Sequence, residues 1–272
     1  MYDSKFKHDE NSSNTKKNHT VDKRRIHLVG WDKICQDKRS GGLGITKAFE
    51  RNVAFSTKLL WRAMTEDGPE CWNPDSFAWK GQKDGKFDLK AAYCFVLNNN
   101  PSCYNLRSIN LSWIWKMDCH YRIKIFLWKI AQNGIACNGV LASRNIPVNG
   151  VCPLCLNDSE SPCHLFFLCP VSKLVWKVGA SYIKPIVCNS FESWVKVNAS
   201  CRLTSSSFNV PHGTLSAYIL WSIWIARNNK TFNGIEVSPN SVFRLALAQS
   251  AEFIYLASYL WPDKPRVSID LR

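Results

Sequence analysis

A chain of 272 residues is longer than one average domain and short for three, so one or two compact units are expected. Apolar residues make up 46%, with 12 Trp and 14 Phe, which is ample for a core and excludes a wholly disordered chain. The formal charge of +14 favours polyanionic partners, but no run of five or more Lys/Arg concentrates it, so an ordinary solvated surface with a basic bias fits equally well.

Residues 1–25 carry seven basic against four acidic residues and no Trp. With too little apolar surface to offset ordering entropy, they read as a disordered basic tail. The start has no apolar h-region, so no signal peptide is expected. Most of the 12 cysteines stand alone without a framework spacing, which points to a reducing, intracellular compartment, nuclear or cytoplasmic, rather than a secreted disulfide scaffold.

Residues 26–75 read as a helical segment. Gly41-Gly42-Leu43-Gly44 marks a turn, followed by a helix from Thr46 to Thr65 with Ala54, Leu59, Leu60 and Trp61 as core positions. The glycines lack the Lys-Ser/Thr of a P-loop and the spacing of a dinucleotide fingerprint, so they are no phosphate cradle. Trp79-Lys80-Gly81 and Gly85-Lys86-Phe87 suggest a short β-hairpin, and Asp88 is placed to N-cap a helix through Leu97.

In residues 121–135, Ile123, Phe126, Leu127 and Ile130 share one face at helical spacing, with Arg122, Lys124 and Lys129 off it. Such interleaving suits base stacking and phosphate contact. However, Ile125 and Trp128 make the other side apolar too, and a helix apolar all round is usually buried, which favours the core reading. Arg122, Lys124, Lys129 and Arg144 remain the candidate nucleic-acid-binding residues. A helix from Ala136 to Arg144 leads into the next motif.

That motif is VCPLCLNDSESPCHLFFLCP, residues 151–170. Cys152, Cys155, His164 and Cys169 supply three thiolates and one imidazole, a complete tetrahedral shell for one structural zinc with no position left for a substrate water. The competing readings are a redox Cys-x-x-Cys pair and small buried hydrophobes. Cys163 adjoins His164 as a rival fourth ligand, with His164 preferred. Downstream, residues 171–178, 191–197, 215–226 and 242–260 read as helices. The apolar stretch 215–226 falls well short of the roughly 20 residues needed to span a bilayer and reads as a buried helix. The fold class is mostly α: a helical zinc-binding module with a short hairpin and a disordered N-terminal tail.

Several blocks in order resemble plant LINE-type (non-LTR) retrotransposon polyproteins. Trp31-Asp32-Lys33-Ile34-Cys35, the Gly41–Ile45 block and Lys58-Leu59-Leu60-Trp61-Arg62 are similar to the region after the polymerase domain. GKFDLKAAY (85–93), WIWKM (113–117), IKIFLWKIAQNGI (123–135) and the Cys/His cluster resemble the reverse transcriptase zinc-binding domain. LWSIWIARNNKTFNG (220–234) is similar to the connector before a ribonuclease H domain. The resemblance implies a zinc-binding domain over 76–180 and a helical connector over 181–272, with Cys152, Cys155, His164 and Cys169 as zinc ligands.

No Asp-Asp pair occurs to clamp two Mg²⁺ for polymerisation, and residues 170–272 hold only five scattered acids where ribonuclease H needs a cluster of four on a sheet. The expectation is therefore a fragment lacking both catalytic domains, not an enzyme. It binds RNA or DNA independently of sequence and has no membrane attachment. The alternatives are a zinc-stapled protein-interaction scaffold, or a decayed relic with no nucleic-acid role.

Overall fold

The structure is a computed structural model and describes residues 27–65, 78–80, 82–98, 109–183, 191–204 and 209–260. The expected tail, residues 1–25, lies outside the described residues.

Two helices carry the first packed unit. α1 (Trp31–Cys35) precedes a glycine turn, and α2 (Ala48–Thr65) packs against α3 (Leu89–Asn98). Asp88 Oδ2 accepts the Ala91 N–H at 2.9 Å, so Asp88 caps α3 as its sequence position implies. Between the two helices Phe87 lies 5.8 Å from Trp61 and 5.0 Å from Trp79, ring centre to ring centre.

The expected hairpin is not formed. Among the described residues there are only two isolated β-bridges and no strand. The Trp79 N–H donates to the Gly85 carbonyl at 2.7 Å and closes a turn. Asp88 then starts α3, which leaves too few residues for a second strand. The expected core positions on α2 also divide. Ala54 is buried, but Leu59 and Leu60 are each 65% exposed, because α3 covers only one side of a helix whose apolar residues occupy two.

The main core forms from α4 (Ser112–Trp115), α5 (Tyr121–Ala131), α6 (Asn138–Ala142), α7 (Pro170–Val178), α8 (Phe191–Ala199), α9 (His212–Asn233) and α10 (Pro239–Leu260). α5 is apolar around most of its circumference and buries Ile123, Phe126, Leu127, Trp128 and Ile130, leaving Tyr121, Arg122 and Lys129 exposed. α9 runs through the centre and contacts α5, α7, α8 and α10, with Leu215, Ile219, Leu220 and Ile223 inside. Gly234 ends α9 in a left-handed conformation (φ 66°), which a Cβ would disfavour, and turns the chain back into α10.

The glycine turn serves packing. Gly41 adopts φ 93°, and its carbonyl accepts both the Trp128 indole N–H and the Gln132 amide at 2.8 Å. These bonds fasten the N-terminal segment onto α5. No helix among the described residues is long and apolar enough to cross a membrane.

Two substitutions test this division of the chain. Phe126 meets Trp221 and Phe166 edge-on at 5.2 and 6.0 Å. Phe126→Ala should cost about 3–5 kcal/mol, seen as a lower urea midpoint. Leu60→Ala should change stability by less than about 0.5 kcal/mol.

Candidate metal centre

The loop before α7 is built to converge four donors. The Gly150 carbonyl accepts the Glu160 N–H at 2.8 Å, and Val151 bridges Ser159, so the loop closes on itself. Within it the Cys152 carbonyl accepts the Leu156 N–H at 2.9 Å. Leu156 takes φ 56°, a conformation unusual for a branched side chain. The backbone N–H groups of Leu154 and Cys155 face the Cys152 sulfur.

The other two donors come from an irregular helical turn. The Ser161 hydroxyl accepts the His164 N–H at 3.0 Å and starts the turn. Residues His164–Leu168 then form a π turn, closed by the Cys169 N–H to the His164 carbonyl at 2.7 Å. At α-helical pitch two residues five apart point about 140° from each other. The wider i→i+5 turn brings them back toward one side.

Pro170 explains why this widening is stable. It has no N–H to give to the Phe166 carbonyl, so a continuous α-helix would leave that oxygen bare. Instead the Trp176 indole donates to Phe166 O at 2.8 Å, and the Ser172 hydroxyl donates to Leu165 O at 2.5 Å. Pro170 also sits at the first position of α7, where its fixed φ is favourable. Cys169 precedes it at the helix N-terminus.

The ligand atoms of Cys152, Cys155, His164 and Cys169 all lie within 4.8 Å of one another. Cys152 Sγ is 4.0 Å from Cys169 Sγ, and Cys155 Sγ is 3.3 Å from His164 Nε2. Donors about 2.0–2.3 Å from a tetrahedral centre stand roughly 3.5–3.8 Å apart, so the set fits zinc. The hydrogen bond with Cys152 holds the Cys169 thiol below its ordinary pKa, burial opposes it, and the N–H groups of Ser172 and Val171 add to the lowering. Cys152, the proton-carrying partner, is pushed up by that same bond and by burial. Because the ligand must be a thiolate, binding a metal displaces this proton.

Cys163 is not in the group. Its thiol is raised by burial and by the nearby Glu192 charge. Cys119 is pushed up to about 12, chiefly by burial, and behaves as a small hydrophobe rather than a ligand.

Four polar residues around the loop, Asp158, Glu160, Arg227 and Asn138, carry no local sequence signal. Asp158 Oδ2 stands 3.8 Å from His164 Nδ1, on the side of the ring away from the sulfurs. At that distance the carboxylate lends the ring negative potential without hydrogen-bonding it. Glu160, fully buried, receives the Arg227 guanidinium in a bidentate pair, Nε to Oε1 at 2.8 Å and Nη2 to Oε2 at 2.6 Å. The Asn138 N–H donates to Glu160 Oε2 at 2.5 Å, and the Asn138 amide donates to the Val151 carbonyl at 2.9 Å. Gly139 lets α6 approach this loop, since a Cβ there would lie 2.6 Å from the Glu160 carbonyl.

The candidate nucleic-acid residues are placed differently. Arg122 and Lys129 are exposed on α5. Lys124 is half-buried and donates to the Trp115 carbonyl at 3.0 Å. Arg144, though exposed, donates to the carbonyls of His27 and Leu28 at 3.0 and 2.8 Å.

Residues 87–176 match the family model described as zinc-binding in reverse transcriptase. The chain is 26% identical over 160 residues to the Arabidopsis thaliana protein named "Putative ribonuclease H protein At1g65750". That match covers 58% of this chain and 25% of the relative, so the chain spans about a quarter of the relative's length. No solved structure matches the chain. The family match and the converging donors support one structural zinc in a retroelement-derived zinc-binding region.

Purified protein should hold one zinc per chain by elemental analysis, and both Cys152→Ser and Cys169→Ser should lose it. Asp158→Asn should keep the metal with affinity lowered by less than about tenfold, measured by chelator competition. Arg227→Met should cost about 3–5 kcal/mol, because it strands a buried carboxylate. Adding Glu160→Gln should recover part of that loss in the same denaturation assay.

Proposed function

We propose that this chain is a non-catalytic, zinc-stabilised module of retroelement origin that binds RNA or DNA through phosphate contacts. The observation that carries the reading is the exposure of Arg122 and Lys129 on one side of α5, a helix rooted in the core by Ile123, Phe126, Leu127, Trp128 and Ile130. Residues seven apart on a helix share a face and stand about 10 Å apart along it. Two cations are thereby held on a rigid element, in a chain of net charge +14. Lys124 and Arg144 donate to backbone carbonyls and contribute local positive potential more than direct grip.

The mechanism is electrostatic. Each Lys or Arg that neutralises a phosphate releases a condensed counterion, giving sequence-independent affinity of about 10⁻⁴–10⁻⁶ M. The zinc holds structure. A closed shell of three sulfurs and one nitrogen leaves no site for a reacting water, and the sequence has no Asp-Asp pair for two-metal chemistry.

A second reading is a zinc-stapled protein-interaction scaffold. Leu156, 72% exposed, and Leu168, 54% exposed, favour it by leaving apolar groups at the surface of the metal loop.

Binding to a labelled single-stranded RNA against salt separates the two. The two phosphate contacts of Arg122 and Lys129 should lower affinity about sevenfold between about 50 and 200 mM salt, from a slope near −0.7 per contact. The double variant Arg122→Glu, Lys129→Glu should bind at least about tenfold more weakly while keeping its zinc and its melting transition. A flat salt response in the wild type would favour the scaffold.

A further inference from the structure

Burial accounts for most of α5, but not for its first residue. Tyr121 is 57% exposed, although the next turns of the helix lie in the core. Its ring centre is 6.1 Å from that of Trp115 with the planes 33° apart, so Trp115 supports one part of it and the rest faces solvent. Lys38 Nζ lies 5.0 Å from the centre of the Trp115 ring. Lys124 Nζ donates to the Trp115 carbonyl at 3.0 Å and ties α5 to the end of α4. Lys116, Arg122 and Arg39 are exposed nearby in sequence, against Asp37 and Asp118 on the same segments. The Asp37 carboxylate is occupied with the Arg39 N–H at 2.7 Å.

Resting on the nucleic-acid reading above, we infer that Tyr121, backed by Trp115 and followed on α5 by the exposed Arg122, is a base-stacking platform for single-stranded nucleic acid. A tyrosine braced by a second ring and rooted on a buried helix loses little entropy when a base stacks on it. Lys38 over the Trp115 ring and the exposed Arg122 beside Tyr121 in the chain add positive charge to the same segments. A duplex keeps its bases stacked inside and cannot offer a face to Tyr121, so the platform selects single strands. Phosphate contacts alone make no such choice.

The test uses the full, zinc-loaded chain with a single-stranded RNA of about 12 nucleotides, uridine-rich and carrying one 2-aminopurine, and with a duplex of the same length. Tyr121→Ala should weaken single-strand binding at least about fivefold, the lower end expected for one stacked base. It should leave duplex binding and the salt slope unchanged and abolish the change in 2-aminopurine emission. Tyr121→Phe, which keeps the ring, should bind like the wild type. If Tyr121→Ala binds both forms as the wild type does while Arg122→Glu, Lys129→Glu weakens both, the platform is overturned and the phosphate reading stands. If the wild type binds neither form at low salt, both proposals fall together.

Discussion

A carboxylate with no access to water and a guanidinium almost as deeply buried hold the metal loop to the rest of the protein. Glu160 lies in the loop and Arg227 near the end of α9, and the two meet in a fork-on-fork pair. Burying both charges is costly, and their attraction compensates only when the remaining polar atoms find partners. Here they do. Asn138 donates its backbone N–H to Glu160 and accepts from Arg227 Nη2 at 2.7 Å, and Asn228 accepts from Nη1 at 3.2 Å. One buried cluster thus registers α6, the metal loop and α9 against each other.

The metal acts on a different scale. Zinc closes a loop that already has its own backbone bridge, its own helix start at Ser161 and its own satisfied carbonyls at Leu165 and Phe166. Chelation should therefore disturb the turn His164–Leu168 first, whereas the packing of Phe126 against Trp221 lies outside the metal loop. Division of labour follows. The core supplies bulk stability, the buried ion pair sets the position of the loop, and the metal fixes the inside of the loop.

The parts legible in the sequence are those whose cause is local. Cys152, Cys155, His164 and Cys169 could be named because a short loop limits how far donors can stray, helices α2, α5, α7, α9 and α10 because apolar spacing acts within a few residues, and α3 because Asp88 caps it. Glu160 and Arg227 are 67 positions apart, and nothing near either one announces the other. The π turn was hidden for a related reason. Its stability depends on Trp176 and Ser172 reaching back to carbonyls that Pro170 cannot serve, a relation visible only once α7 is folded against it. Leu59 and Leu60 misled because an apolar residue at helical spacing shows that a face exists, not that anything covers it.

The same separation of causes bears on function. α5 is held in the core from one side and reaches solvent through Tyr121, Arg122 and Lys129, so its exposed groups inherit the rigidity of the buried ones. A charged surface carried on flexible loops would spend part of any binding energy on ordering itself. On α5 that cost has already been met by Phe126, Leu127 and Trp128. The sulfur and nitrogen site adds no reacting group to this surface, since its donors are directed at one another and three of the four residues are buried. Under the proposed phosphate-binding role, such a surface would hold a polyanion without first having to order itself.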